Sequence, residues 1–266
     1  MDISLFHIHT VEVTGANPVS PTSCQQRGCA LPRNPFFHIY RRGKIMCGRF
    51  ALKAPPRSIQ QHFDLPETAD LSPRYNIAPS QEIAVVRLLP GKNFRQLDML
   101  RWGLIPGWAR NIKISYKMIN ARAETLGQKP SFRAAFKKRR CLIAADGFYE
   151  WFHSGKTKQP FFIHMKNRTV FAFAGLWESW NSPDGTVIES CTIITTTANS
   201  LIRKIHDRMP VILHPAQYDA WLAHGSTEDF LQQILAPYPA DEMKVFRVSQ
   251  EVNNPRNDIP ACLQPI

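Results

Sequence analysis

This amino-acid sequence lacks a long apolar run, paired cysteine motifs and a surplus of acidic residues. No segment approaches the roughly 18 consecutive apolar residues of a membrane-spanning helix, which argues against a protein that crosses a membrane. The six cysteines, at positions 24, 29, 47, 141, 191 and 262, have irregular spacing without a CxxC pair, and the sequence shows no secretory signal. We therefore expect free thiols in a reducing compartment, and we predict no disulfide, metal site or cofactor.

Acidic residues are outnumbered by basic ones, 21 Asp and Glu against 33 Lys and Arg, which gives a formal net charge of +12. This balance favours a polyanionic partner, and nucleic acid is a better candidate than an anionic membrane surface. One basic segment, residues 131–140, combines phenylalanines four residues apart with a cluster of cations. It predicts an amphipathic helix whose charges mainly face solvent.

Glycine is also sparse, with 13 residues against 21 prolines, which indicates many fixed turns and short elements. The 16 phenylalanines and 6 tryptophans can supply a substantial core. Apolar periodicity predicts strands at residues 83–89, 96–102, 141–145, 160–165, 170–176, 189–196, 211–213 and 244–248, and helices at 55–63, 131–140, 199–205, 215–224 and 227–235. Residues 74–79 are predicted to form an ordered loop that leads into the first of these strands. Because these elements occur in runs without regular alternation, we predict an α+β fold: a large mixed, mostly antiparallel, barrel-like β-sheet core with a few short peripheral helices.

Residues 1–45 differ in character from the rest of the chain. They show scattered prolines and a short basic group but no sustained strand or helix period. We expect a disordered extension or a start codon assigned upstream of Met46, although a transit peptide is an alternative. Residues 46–266 are predicted to form a single domain.

The pair Met46-Cys47 allows a specific reaction with aldehydes. If synthesis starts at Met46, removal of the initiator leaves Cys47 with a free α-amine, of pKa roughly 7.7–8.0, beside a thiol of pKa about 8.5. The amine condenses with an aldehyde to an imine, and the thiolate closes on the same carbon to give a thiazolidine, which no internal cysteine can form. The alternative interpretation is an ordinary buried or turn cysteine.

Two further side chains are functional candidates. Glu150 lies among aromatic residues, where desolvation would raise the pKa of its carboxyl group, and the alternative is a surface glutamate beside a strand end. Trp108 ends a segment rich in Gly and Pro, residues 103–108, which predicts a surface loop that carries an aromatic. The alternative for Trp108 is a cover over the edge of the core.

Six separated blocks occur in a fixed order: Met46-Cys47-Gly48-Arg49-Phe50, Arg74-Tyr75-Asn76-Ile77-Ala78-Pro79, Trp102-Gly103, Asn120-Ala121-Arg122, Gly147-Phe148-Tyr149-Glu150-Trp151 and His206-Asp207-Arg208-Met209-Pro210. Together they closely resemble the SRAP family, whose members, named SOS response-associated peptidases, act as abasic-site processing proteins. The resemblance covers residues 46–266. It implies that the cysteine of the second codon bonds covalently to the ring-opened sugar of an abasic site in single-stranded DNA.

The resemblance also implies a catalytic role for each of four residues. Cys47 is the nucleophile, and Asn120 hydrogen-bonds the deoxyribose or positions the cysteine. Glu150 receives and returns protons at the α-amine while the imine forms. His206 assists opening of the sugar ring and proton transfer at its oxygen, since imidazole titrates near neutrality in its unperturbed state.

DNA-binding residues are implied in the same blocks. Guanidinium groups would clamp phosphates on both sides of the lesion, and apolar surfaces would carry the flanking bases. The predicted contacts are Arg49, Asn76, Pro79, Trp108, Arg122 and Arg208. The family's loop often has a second adjacent aromatic, whereas Ala109 and Arg110 follow Trp108 here.

The resemblance thus predicts an enzyme that crosslinks to abasic sites, with AP lyase activity through the same imine. If residues 1–46 stay attached, Cys47 has an amide in place of an amine, so a self-processing cut between Met46 and Cys47 is a further expectation. The competing hypotheses are a non-catalytic reader of damaged or modified single-stranded DNA and a cysteine peptidase. We expect a cytoplasmic, nucleoid-associated monomer without a membrane partner.

Overall fold

A computed structural model of the protein describes residues 47–67, 70–89, 91–155 and 157–266. These residues belong to one compact unit, Lys44–Ile266. The expectations for residues 1–46 therefore lie outside the described part of the chain. Within that part, no helix is long and apolar enough to span a membrane.

Strands dominate the architecture, and the helices are short. The thirteen strands of the described residues are β1 Phe50–Leu52, β2 Arg74–Ile77, β3 Glu82–Arg87, β4 Gln96–Trp102, β5 Asn120–Arg122, β6 Arg140–Ala145, β7 Gly147–Ser154, β8 Thr157–Met165, β9 Phe171–Asn181, β10 Val187–Thr197, β11 Arg208–Pro210, β12 Ile212–Leu213 and β13 Met243–Arg247. The α-helices are α1 Pro56–Phe63, α2 Arg133–Lys138, α3 Tyr218–Leu222 and α4 Glu228–Gln233.

Five strands close into a barrel in the order β10, β4, β3, β6, β9 and back to β10. The neighbours are antiparallel except β4 and β10, which run parallel, and β5 adds a second parallel pairing to β10. A second, antiparallel sheet has the order β13, β8, β7, β1, β2. This arrangement confirms the predicted α+β fold with a mixed, mostly antiparallel, barrel-like core.

The core lies in and around the barrel, and aromatic contacts attach the second sheet to it. All six residues of β6 are buried, because this strand is covered on both faces. Phe50 on β1 is fully buried, and its ring makes edge-to-face contacts with Trp102 at 5.2 Å and with Phe173 at 5.8 Å. Since Phe50 follows Cys47 by three residues, these contacts hold the start of the described chain against the barrel.

Several predicted elements are confirmed and others need correction. The strand at residues 96–102 is confirmed with the predicted bounds, and the four described cysteines are free, as expected. All four are also buried. Residues 74–77, predicted as an ordered loop, form the edge strand β2. The predicted helix at residues 199–205 is reduced to one 3₁₀ turn, Ile202–Lys204.

The basic helix also ends earlier than predicted. It stops at Lys138, and Arg140 begins β6 instead. The Arg140 guanidinium is buried and donates hydrogen bonds to the backbone carbonyls of Trp221 and Phe136, both at 2.6 Å. An arginine used inside the fold cannot be distinguished by sequence periodicity from its solvated neighbours on the helix.

Candidate active site

Pairing of β1 with β7 brings the first sequence block to Glu150. Phe50 is opposite Phe148 in this antiparallel pair, and the Tyr149 N–H donates to the Arg49 carbonyl at 3.0 Å. Extending this register toward the start of the chain brings Gly48 level with Glu150 and Cys47 one residue beyond it. The backbone nitrogen of Cys47 donates a hydrogen bond to Glu150 Oε1 at 2.7 Å. Two blocks separated by a hundred residues therefore meet at the predicted nucleophile and proton carrier.

The Glu150 carboxyl group is buried, with 3% of the residue exposed. Burial raises its pKa to about 8, while N–H donors from Cys47 and Trp151 oppose the shift and the negative charge of Asp207 adds to it. The raised pKa expected from the aromatic surroundings is confirmed, and the surface-glutamate alternative is wrong. A carboxyl group with this pKa can exchange a proton near neutral pH.

Cys47 is itself enclosed, at 1% exposure. Burial raises the pKa of its thiol well above the usual value, and the nearby charge of Glu150 raises it further. The sulfur is therefore a neutral thiol in this state. Its backbone has a φ of 35°, a left-handed conformation that residues with a side chain adopt at a cost of about 1 kcal/mol or more.

Strand β10 aligns two more of the predicted blocks. Asn120 and Arg122 on β5 pair in parallel with Ile193 and Thr195 of β10. On the antiparallel side, Arg208 of β11 pairs with Thr197. The Asn-Ala-Arg block and the His-Asp-Arg block thus share one strand as their support.

Asp207 connects the His-Asp-Arg block with Glu150. His206 Nδ1 lies 3.0 Å from Asp207 Oδ1 and 3.1 Å from the backbone nitrogen of Arg208. A neutral Nδ1 can accept from the Arg208 N–H, whereas a protonated Nδ1 can donate to Asp207. The same Asp207 charge helps to raise the pKa of Glu150. Asp207 therefore contacts His206 and also acts electrostatically on the Glu150 carboxyl group.

The Arg208 guanidinium forms a forked ion pair with Glu124. Nη1 donates to Glu124 Oε1, and Nη2 lies 3.0 Å from Oε2. Nη2 also donates to the Thr195 carbonyl at 2.7 Å. Glu124 is about half exposed, so a phosphate arriving from solvent can compete with it for the guanidinium. Arg122, two residues before Glu124, is exposed.

Arg49 and Asn76 are both engaged with the C-terminal segment. Arg49 Nη1 donates to Asn76 Oδ1 at 2.8 Å and to the Val252 carbonyl at 2.7 Å. The Asn76 amide donates to the carbonyls of Asn257, at 2.7 Å, and Asn254, at 3.0 Å. Asn76 has no exposed surface. Direct contact of Asn76 with DNA, which stays a prediction, would require this segment to move.

The predicted stacking residues are accessible to different degrees. Trp108 is 60% exposed, in the loop where it was expected, so the core-cover alternative is wrong. Pro79 is half-buried, directly after β2. Trp151, which follows Glu150, is also half-buried, and its ring lies under the Arg49 guanidinium at 5.9 Å. These surfaces can accept nucleobases, but they do not fix where a strand would run.

Sequence reasoning missed three partners of the predicted residues. Asp207 lies within the His-Asp-Arg block, and Glu124 lies two residues after the Asn-Ala-Arg block, so the available signal was an acid near a proposed proton-carrying or cationic residue. Their partners His206 and Arg208 were predicted without them. The C-terminal segment, residues 252–257, gave no signal, because it supplies backbone carbonyls that any sequence possesses.

Comparisons with known proteins match most of the chain to one family. Residues 46–255 match the SOS response associated peptidase (SRAP) family. The chain is 50% identical over 225 residues to the abasic site processing protein YoqW of Bacillus subtilis, covering 82% of this chain and 99% of that one. It is 34% identical over 227 residues to the abasic site processing protein HMCES of Xenopus tropicalis, covering 73% of this chain and 66% of that one.

A solved structure has a similar fold. A crystal structure of a protein from Bacteroides thetaiotaomicron matches with a TM-score of 0.75 and 26% identity, covering 83% of this chain and all of that one. The fold places an enclosed cysteine, Cys47, beside the buried carboxyl group of Glu150. The chain belongs to the SRAP family, which confirms the resemblance inferred from the six blocks.

Proposed function

We propose that this protein captures abasic sites in single-stranded DNA by forming a thiazolidine through Cys47. The observation that carries the proposal is the 2.7 Å contact between the Cys47 nitrogen and the buried Glu150 carboxyl group. A cysteine whose only function is structural does not need its backbone nitrogen held by a carboxyl group of raised pKa. The abasic site as target is taken from the names of the relatives, and the net positive charge of the chain favours binding to DNA.

The chemistry requires a free α-amine on Cys47. The amine adds to the aldehyde of the ring-opened deoxyribose, and loss of water gives the imine. The Cys47 sulfur then adds to the imine carbon, and the thiol proton passes to the nitrogen, which becomes the secondary amine of the thiazolidine. Strand cleavage by β-elimination of the 3′ phosphate can branch from the same imine.

Glu150 is suited to the proton transfers at the amine. Its pKa of about 8 is close to the roughly 7.7–8.0 of an unperturbed α-amine, so both groups can gain or lose a proton near neutral pH. A positively charged amine beside the carboxyl group would favour the carboxylate, and the pair would then share one proton. Glu150 can take this proton before attack and return it when water leaves.

His206 and Asn120 complete the proposed catalytic set. His206, coupled to Asp207, would open the sugar ring by transferring a proton at its oxygen. Asn120, on a strand held by β10, would hydrogen-bond the deoxyribose or position Cys47. Arg122 and Arg208 would hold flanking phosphates, with Arg208 exchanging the Glu124 carboxylate for a phosphate oxygen.

Exposure of the amine requires that the residues before Cys47 be absent or removed. The left-handed backbone of Cys47 supports a cut at this bond, because φ is constrained only while a preceding carbonyl is attached. Hydrolysis, in which water adds to the carbonyl carbon of Met46 and the Cys47 nitrogen leaves as an amine, would release that strain, with Glu150 available to carry the proton. We therefore include self-processing between Met46 and Cys47 in the proposed activity.

The test of the function is denaturing electrophoresis of the protein mixed with an oligonucleotide from which a uracil has been excised. A covalent adduct that resists heat supports capture of the lesion. A complex that is salt-sensitive and does not withstand denaturation would favour the non-catalytic reader instead. Cleavage of unrelated peptides without any DNA adduct would favour the cysteine peptidase.

Glu150→Gln is expected to slow adduct formation by about 100-fold at pH 7, within the range of general acid–base catalysis. Glutamine keeps the shape of the side chain but has no group that accepts or releases a proton near neutral pH. The deficit should shrink above about pH 8, where the amine is already deprotonated and no longer needs an acceptor. Rates of crosslinking measured from pH 6 to 10 check this. A constant deficit across that range would contradict the proton-carrier role.

Arg122→Ala and Arg208→Ala are each expected to weaken binding of single-stranded DNA with or without a lesion, because phosphate contacts are independent of sequence. Each loss should reduce the slope of log K against log salt concentration by about 0.7. Arg57→Ala, which removes an exposed arginine from α1, is the matched control. Unchanged slopes in both variants would locate the DNA on another surface.

A further inference from the structure

A cavity of about 660 Å³ lies among α2, β9 and α4, and none of its lining residues is among the predicted site residues. Its volume falls in the range of roughly 300–1,000 Å³ that is usual for small-molecule sites. Apolar walls come from Phe136, Trp177 and Leu231, and the basic segment of α2 forms one rim. The proposed DNA chemistry does not use this feature.

Two ammonium groups at the rim are available to an anion. Lys137 and Lys138, in the last turn of α2, are exposed and form no ion pair with an acid of the described residues. The neighbouring Arg139 is occupied, because its Nη2 donates to Glu178 at 2.6 Å. The acid among the lining residues, Glu228, packs against Gly127, where a Cβ would come within 2.0 Å of Oε1. The lining therefore carries more positive than negative charge, which suits a phosphate group.

Trp177 gives the cavity a rigid aromatic wall. The guanidinium of Arg87 lies over its ring at 4.4 Å, and Arg87 is fixed by a forked pairing with Glu189, at 2.8 and 2.6 Å. The backbone N–H of Trp177 donates to the Arg139 carbonyl at 2.9 Å. Because Arg87 covers one face of the ring, a planar group would stack on the other face, and a ring held in this way loses little freedom when it does so. The indole and the two lysines thus offer an aromatic contact and a phosphate contact within one cavity.

We propose that this cavity binds a nucleoside phosphate, with the base against Trp177 and the phosphate at Lys137 and Lys138. The same chemistry is present in a free mononucleotide and in a nucleotide of a DNA strand. The site goes beyond the proposed function, since it does not involve Cys47 or its partners. It also gives a role to the basic helix, whose charges the sequence alone assigned to solvent.

The test is calorimetric titration of the full chain with adenosine monophosphate, adenosine and inorganic phosphate. We expect saturable binding of the nucleotide, and we expect adenosine and inorganic phosphate each to bind at least about tenfold more weakly. The double variant Lys137→Gln, Lys138→Gln should bind the nucleotide about tenfold more weakly and bind adenosine with unchanged affinity. Trp177→Leu should weaken nucleotide and adenosine alike, whereas Trp177→Phe should retain most binding. Arg133→Gln, on the same helix but outside the cavity, is the matched control.

The affinity for oligothymidylate distinguishes a free mononucleotide from a nucleotide of a DNA strand as the ligand. If the double lysine variant loses affinity for a long oligonucleotide as well, the site belongs to a DNA strand, and if it loses affinity only for the mononucleotide, the ligand is free. The double variant should still crosslink to a short abasic oligonucleotide, which separates this site from the proposed function. Absence of saturable nucleotide binding, or binding that the lysine and Trp177 variants leave unchanged, would overturn the proposal.

Discussion

Cys47→Ala is expected to abolish the heat-stable DNA adduct while leaving affinity for single-stranded DNA nearly intact. The thiol is enclosed and contributes no charge to the DNA surface, so its loss should remove the chemistry and not the phosphate contacts. Cys47→Ser separates the two nucleophiles further. Its amine can still form an imine that borohydride traps, but only sulfur closes the ring that protects the product. Denaturing electrophoresis over time, with and without borohydride, measures both outcomes.

Cys141→Ala is the matched control for this experiment, because Cys141 is another free, buried cysteine and lies on the barrel strand β6. This variant should crosslink like the parent. Equal rates of crosslinking for Cys47→Ala and the parent would show that the nucleophile is misassigned. The amine of another residue, or the reader hypothesis, would then have to explain any association with DNA.

Local patterns predicted the parts of the site that depend on nearby residues. Gly and Pro around Trp108 predicted an exposed loop, and the aromatic neighbours of Glu150 predicted a raised pKa. Both properties arise mainly from the immediate surroundings of the side chain. The strands at residues 96–102 and 141–145 were equally readable, because alternating or continuous apolar residues report burial directly.

Features that depend on distant partners could not be predicted. Strand β2 was interpreted as a loop because its order comes from pairing with β1 on one side and from Asp258 on the other, whose carboxylate accepts from the Tyr75 and Asn76 backbone N–H groups. Arg49 contacts the Val252 carbonyl across 203 positions of sequence. The resemblance assigned Arg49 and Asn76 to DNA, whereas their observed hydrogen bonds hold the C-terminal segment. Their contact with DNA remains a prediction.

A second prediction is that the DNA adduct requires a free α-amine on Cys47. An amide nitrogen cannot condense with an aldehyde, so a chain with residues attached before Cys47 should form no thiazolidine, whereas the same chain cut before Cys47 should form it rapidly. A protein in which a site-specific protease sequence replaces the residues directly before Cys47 allows both states to be compared in one preparation. Electrophoresis before and after cleavage measures the adduct.

The matched control is a chain with one glycine left in front of Cys47 after cleavage. Its own terminal amine can form an imine, but the Cys47 sulfur is no longer placed for five-membered closure, so borohydride should trap a product that is otherwise lost on heating. Intact mass of the protein made in cells gives the natural state of this bond, which we expect to begin at Cys47. If the uncut chain forms the heat-stable adduct as fast as the cut one, the amine is not the group that attacks, and the contact of Cys47 with Glu150 has another purpose.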